Sequence, residues 1–214
     1  MTWFLDHVQD VLDLAVQHVY LAGLPLVIGL LLALPLGWLA RRYPGLYTPF
    51  TAGFGLLYTI PSLALFILLP GILGTRILDR SNVLVAMTVY TVALLVRTVA
   101  DALGAVPDDV KQAATAMGFT RFRRFFAVEL PLAVPVIAAG MRVAAVSNVS
   151  IVSVAAVIGI PQLGLLFTDG FARSFYDPIV VGLAACFVLA LAFDLVILAV
   201  ARLLTPWQRA GGAS

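Results

Sequence analysis

Residues 111–131 read Lys-Gln-Ala-Ala-Thr-Ala-Met-Gly-Phe-Thr-Arg-Phe-Arg-Arg-Phe-Phe-Ala-Val-Glu-Leu-Pro. This basic, small-residue stretch interrupts a chain that is otherwise largely membrane-apolar. Just before it, Pro107-Asp108-Asp109 can start a helix, because proline suits a first turn and early carboxylates favour the positive helix end. Good helix formers and small side chains follow at Ala113, Ala114 and Ala116. Gly118 can end the helix as a left-handed residue. A second helical stretch is expected over Arg121 to Val128, where basic residues alternate with Phe122, Phe125 and Phe126. Leu130-Pro131 is then expected to turn the chain back to the bilayer. Small residues and a bend make a short helix that another protein can grip in a groove. Composition alone favours a basic interfacial loop whose phenylalanines dip into lipid.

Working outward, the chain is a membrane protein by composition. Its 214 residues are 62% hydrophobic and 11% charged, with a mean hydropathy of +1.07. A soluble domain carries roughly 25% charged residues. A net charge of +2 argues against nucleic acid. The single cysteine, Cys186, excludes an internal disulfide and a Cys-rich metal site. A spanning helix needs about 20 mostly apolar residues, and five stretches qualify, at roughly 19–40, 48–70, 82–104, 134–157 and 178–203. Pro25, Pro35 and Pro61 fall inside these stretches, where membrane helices tolerate proline if neighbours satisfy the freed carbonyl. The expected fold is therefore all-α and integral to the membrane. It has an N-terminal amphipathic helix over 1–18, a membrane domain over 19–204 with its loop at about 105–133, and a tail over 205–214.

Residues 1–18 set Asp6, Asp10, Asp13 and Gln17 opposite Phe4, Val8, Leu12, Ala15 and Val19 at helical spacing. An interfacial helix lying on the bilayer is expected. A sixth span is the alternative, made costly by three aspartates. The stretch lacks the basic start of a secretory signal. His7 and His18 lack ligand partners and are expected at the surface.

Orientation follows from Lys and Arg. Five spans with the N-terminus outside place Arg41, Arg42, Lys111, Arg121, Arg123, Arg124, Arg202 and Arg209 inside, and Arg76, Arg80 and Arg173 outside. Eight against three obeys the positive-inside bias, so the middle loop is expected in the cytoplasm and the C-terminus with it.

The loop has a recognisable spacing: Gln112-Ala113-Ala114, three residues, Gly118, nine residues, Val128, one residue, Leu130-Pro131. It resembles the loop signature of permease subunits of bacterial ABC importers, with Gln112 in place of the usual Glu and Val128 in place of Ile. The resemblance extends along nearly the whole chain. Its supporting segments are Tyr58-Thr59-Ile60-Pro61-Ser62-Leu63-Ala64-Leu65, Ala138-Ala139-Gly140-Met141-Arg142 and the Ala-Phe-Asp step at Asp194. These are most similar to permeases for glycine betaine, choline, carnitine and related quaternary amines. Gly159-Ile160-Pro161-Gln162-Leu163-Gly164 departs from the Gly-Gly-Leu-Gly form common in that branch, and amino-acid importers such as those for methionine have related permeases.

The resemblance implies a type I ABC importer fold of the methionine-permease kind in a bacterial plasma membrane. It implies a second permease subunit, same or related, a cytoplasmic ATPase dimer that grips residues 105–133, and an extracytoplasmic solute-binding protein. Gln112 keeps the hydrogen-bonding shape of the usual Glu but loses its charge. The chain has no Gly-x-x-x-x-Gly-Lys-Ser/Thr loop to cradle phosphates and no catalytic or metal constellation. ATP and Mg are thus expected on the partner ATPase, with no cofactor on this chain.

Several polar residues fall inside the spans. Arg97 and Asp101 lie four apart on one helix face, Arg142 lies near the start of the fourth span and Asp194 inside the last. Intramembrane charges are costly and usually pair or face a cavity. Asp194 paired with Arg97 or Arg142 would fix packing; a direct role in transport is the other reading. Gly140, Ala144 and Ser147 form a small face suited to close helix packing. Asn148, Ser150 and Ser153 suit interhelical hydrogen bonds or a solute path. Tyr58, Tyr90 and Ser147 are candidate pathway residues, the tyrosines through cation–π contact with a quaternary amine. The rival classes are an ion-coupled secondary transporter, which would explain Asp194 but not the loop spacing, and a non-transporting membrane scaffold.

Overall fold

The computed structural model describes residues 2–207, and among these every regular element is a helix. In chain order they are α1 (Thr2–Asp6), α2 (Val8–Arg42), α3 (Pro44–Tyr58), α4 (Ser62–Leu73), α5 (Arg80–Gly104), α6 (Asp108–Ala116) and α7 (Arg121–Arg124). A π-turn (Phe125–Glu129) leads into α8 (Leu130–Ser153), and a 3-10 turn (Val154–Ile158) follows it. α9 (Leu165–Ala172) and α10 (Tyr176–Leu204) complete the order. Arg209 and most of the expected tail lie outside the described residues.

The helices α2, α5, α8 and α10 are long and apolar enough to cross a membrane, and α3 with α4 forms a fifth span bent by 98°. Small residues explain how α2 and α5 meet. A methyl group on Gly29 would lie 2.4 Å from Thr91 Cγ2, and one on Gly37 would lie 2.7 Å from Val99 Cγ1. Ala33, between the two glycines, is fully buried. This spacing of small residues every fourth position lets two backbones approach closely.

Both contacts advance eight residues along each helix in the same direction, so α2 and α5 are parallel. A parallel pair requires the chain between them to return across the bundle, and α3–α4 makes that return. Tyr47 at the start of α3 donates to Asp101 near the end of α5 at 2.5 Å. At the other end, Asn82 of α5 donates to the Arg76 carbonyl at 2.8 Å. α8 runs against α5, with Gly140 on Thr98 and Asn148 on Thr91. α10 runs against α8 through Arg142–Asp194 and Ser153–Cys186.

Four expectations need correction. The second span is not one helix over 48–70. α3 ends at Tyr58 and Pro61 is the N-cap of α4. Pro25 and Pro35 do stay inside α2, and the Asn148 amide donates to Ala22 O at 3.1 Å, one residue from the carbonyl that Pro25 deprives of its helical donor. Pro61 follows Ile60, which proline pushes out of helical geometry.

Residues 1–18 are not a separate element, because α2 continues unbroken from Val8. At 35 residues it is about 52 Å long, well beyond the ~30 Å hydrocarbon core. Its inward face there is Val11, His18, Leu21 and Ala22, while Leu12 and Val19 are exposed. Exposed and buried sides both carry apolar residues, so amphipathicity did not separate them. His18 is fully buried instead of at the surface. Finally, Leu130-Pro131 makes no turn: α7, the π-turn and α8 form one continuous helical run.

Candidate functional site

The loop between α5 and α8 is a compact, internally braced unit. Pro107, with φ −59° and ψ 142°, directs the chain into α6, whose first turn carries Asp108 and Asp109. Asp108 pairs with Lys111 at 3.1 Å. The helix ends by two bonds, Phe119 N–H to Ala114 O at 3.1 Å and Gly118 N–H to Thr115 O at 3.0 Å. That pairing is the Schellman termination, which needs a left-handed residue, and Gly118 supplies it at φ 81°. Thr120 then caps α7, its hydroxyl accepting from Arg123 N–H at 3.4 Å.

Arg124 ties the unit together. Its Nε donates to the buried Glu129 at 2.6 Å and its Nη1 to Thr115 on α6 at 2.9 Å. The Arg123 guanidinium lies 4.5 Å from the centre of the Phe119 ring. The π-turn has a local cause. Pro131 cannot donate to a carbonyl four residues back, and its ring crowds that carbonyl. The helix widens, and Leu130 N–H bonds to Phe125 O five residues back. Glu129 was missed by the sequence spacing, which skips that position. A basic residue five positions earlier was the available signal.

The motif residues divide by exposure. Gln112, Ala113 and Gly118 are exposed, as are Ala116, Met117 and Phe122, whereas Ala114 is buried. Val128, Leu130 and Pro131 are half-buried where α8 begins. The exposed side of α6 thus shows Asp109, Gln112, Ala113 and Ala116, and Gly118 has open space around its α-carbon. Arg41, Arg42, Lys111, Arg121 and Arg124 line one cavity of about 880 Å³ between this loop and the α2–α3 corner. Lys and Arg therefore concentrate at the loop end of the bundle.

The intramembrane polar residues fall into separate groups. Arg142 meets Asp194 with two hydrogen bonds, Nε–Oδ1 2.5 Å and Nη2–Oδ2 2.9 Å. Arg97 is not part of that pair; it faces Asp101 at 3.6 Å, and both are largely exposed. Asn148 is buried and bonds Thr91 Oγ1 at 3.0 Å as well as Ala22 O, joining three helices. Tyr58 and Tyr90 meet edge to face with ring centres 5.7 Å apart. The Tyr90 hydroxyl donates to Ile60 O. Ser147 is half-buried on α8, away from the tyrosines in the bonding pattern.

One buried cluster was not anticipated. His18 contacts the Gln162 side-chain oxygen and the Val149 carbonyl, each at 3.0 Å. Gln162 also accepts from Gly164 N–H at 2.5 Å and donates to Ser153 O at 3.2 Å. The segment 159–164 is plugged into the bundle end, with Ile160, Gln162 and Leu163 fully buried. No sequence signal joins residues 144 positions apart.

Comparison with known proteins adds to this geometry. Residues 26–210 match the family described as binding-protein-dependent transport system inner membrane component. The osmoprotectant import permease protein OsmW of Salmonella typhimurium is 34% identical over 208 residues, covering 95% of this chain and 96% of that protein. The glycine betaine/carnitine/choline transport system permease protein OpuCB of Bacillus subtilis is 26% identical over 208 residues, covering 96% and 94%. Among solved structures, an inward-facing form of the MetNI methionine ABC transporter matches with a TM-score of 0.83 at 20% identity, covering 94% of this chain and 98% of that one. This last likeness establishes the fold.

Proposed function

The chain belongs to the family of binding-protein-dependent transport system inner membrane components and is a multi-pass permease subunit of an ABC importer, and on that premise we propose that its solute is a quaternary-amine osmoprotectant such as glycine betaine, carnitine or choline. The observation that carries this reading is the 34% identity to an osmoprotectant import permease over 95% of the chain.

Two permease subunits, identical or related, form the path at their interface. The α6–Gly118–α7 unit sits in a groove of a separate cytoplasmic ATPase, which binds ATP and Mg. Gln112, Ala113 and Gly118 make that contact with Ala114 buried behind them, and Val128, Leu130 and Pro131 anchor it to α8. Arg124 supports this role, because its bonds to Thr115 and Glu129 hold α6 against the start of α8 and allow a push on α6 to reach a membrane helix. α5 leads into α6 through only three residues, 105–107. ATP binding closes the ATPases, draws the loops together and shifts the pair toward outward-open; hydrolysis resets it. An external solute-binding protein delivers the solute. Tyr58 lines the path near mid-depth, backed by the buried Tyr90, with Ser147 on α8 as a further candidate. Arg142–Asp194 holds α8 against α10, and Asp101 ties α5 to α3 by accepting from Tyr47.

The test is reconstitution with the partner ATPase and binding protein in proteoliposomes. ATP-dependent uptake of radiolabelled glycine betaine or choline, abolished without the ATPase, is the expected result. ATP-dependent uptake of an amino acid such as methionine, with no quaternary-amine uptake, would reassign the solute. Uptake driven by an ion gradient without ATP would remove the coupling role of the loop.

A further inference from the structure

The backbone leaves helical form in the middle of the bent span. Tyr90, whose hydroxyl holds Ile60 O, is the eleventh of the 25 residues of α5, so the break lies close to mid-depth. Thr59 and Ile60 N–H close short turns onto Leu56 and Leu57 carbonyls at 3.0 and 3.3 Å. Among the described residues, nothing donates to the carbonyls of Tyr58 and Thr59. Residues 55–61 are all exposed, and a methyl group on Gly53 or Gly55 would meet nothing within 4 Å. Exposed non-helical backbone with unpaired carbonyls does not occur against hydrocarbon; at membrane depth it is tolerated where protein buries it or water reaches it.

The chemistry of this face is one-sided. The C-terminal end of α3 presents the negative end of its dipole, and the carbonyls of Tyr58 and Thr59 add to it. The Tyr58 ring is exposed beside them, held edge-on by Tyr90. An aromatic face next to carbonyl oxygens attracts a cation without needing a full negative charge. It suits a soft organic cation that must leave as readily as it arrives.

We propose that the break Tyr58–Pro61 lines the water-filled path through the transporter, and that the Tyr58 ring with the Tyr58 and Thr59 carbonyls forms a transient contact for the cationic head of the solute. The path assignment holds for any solute of this importer; the cation contact rests on the quaternary-amine reading above.

The experiment uses the full transporter in proteoliposomes, with Cys186→Ser as background. Thr59→Cys is treated with a small cationic methanethiosulfonate, with Leu31→Cys on the exposed apolar face of α2 and Asp169→Cys outside the bilayer as controls. Thr59→Cys is expected to react, at rates differing about 10-fold or more between nucleotide-free and ATP-trapped states, while Leu31→Cys stays unreactive. A Thr59→Cys that reacts in neither state, with Asp169→Cys reacting normally, means a dry interface between permease copies and overturns the path assignment. In uptake assays Tyr58→Phe keeps the ring and is expected to keep the wild-type KM. Tyr58→Leu is expected to raise the KM for the quaternary amine about 5-fold. Equal KM values for Tyr58→Leu and wild type would overturn the cation contact. A wild type that carries no quaternary amine removes that contact with the solute assignment, while the labelling still decides the path.

Discussion

Asp194 is tolerable inside α10 because Arg142 meets it with two parallel hydrogen bonds across the α8 seam. Bidentate contact of this kind fixes orientation as well as charge, which supports the proposal that the pair is a packing device between two antiparallel helices. Asp194→Asn keeps volume and hydrogen-bonding capacity but leaves the guanidinium without its counter-charge. The expected outcome is a lower Tm in detergent, with uptake per folded transporter unchanged. Abundant, well-folded but inactive Asp194→Asn protein would move the pair from packing into transport. Partner choice at this scale was only half legible. That Asp194 needed a base followed from depth in the span; that the base was Arg142 and not Arg97 depended on which face of α5 turns inward. His18 was not legible at all. Its partners come from the far end of α8 and the segment after it, and a lone histidine near an N-terminus looks the same whether buried or exposed.

Among the elements, the loop was the most legible because its signals are local. A proline and two aspartates start α6, a glycine stops it, and spacing along one short segment reports both. Gly118 has φ 81°, a region that β-branched residues avoid. Gly118→Val is expected to cost about 1–2 kcal/mol of local strain and to unwind the Schellman end. Since nothing crowds the site, the membrane domain should insert and fold as before. ATP-driven uptake is expected to fall at least 10-fold while detergent melting changes little; wild-type uptake would refute the coupling role. The bent span and the π-turn were less legible for one physical reason. Pro25, Pro35, Pro61 and Pro131 look alike in sequence, yet two stay in a regular helix, one opens a break and one widens a turn. Nothing in the sequence beside each proline tells these outcomes apart.

For the whole molecule, the placing of five crossings follows from the parallel α2–α5 pair and the bent return between them. Arg41, Arg42, Lys111, Arg121, Arg123 and Arg124 gather at one end, and Arg76, Arg80 and Arg173 belong to the other. On this charge bias the loop end is expected in the cytoplasm. In intact cells carrying Cys186→Ser, an impermeant maleimide is expected to label Asp169→Cys and to spare Thr120→Cys; permeabilisation should then expose Thr120→Cys. Labelling of Thr120→Cys in intact cells would invert the map. Span count was readable because it depends on composition summed over many residues. Helix order in space was not, since it rests on single contacts such as Gly29 against Thr91.

Those glycine contacts also constrain how the sequence can drift. With only 2.4 Å between a new methyl on Gly29 and Thr91, and 2.4 Å between one on Gly140 and Thr98, neither partner can enlarge alone. Positions 29 and 91, and 98 and 140, should therefore change as reciprocal pairs among descendants of this chain, a larger residue on one helix arriving with a smaller one on its neighbour. Glycines without close contacts, such as Gly45, Gly53 and Gly55, carry no such obligation and are free to diverge independently as far as this chain's own packing is concerned.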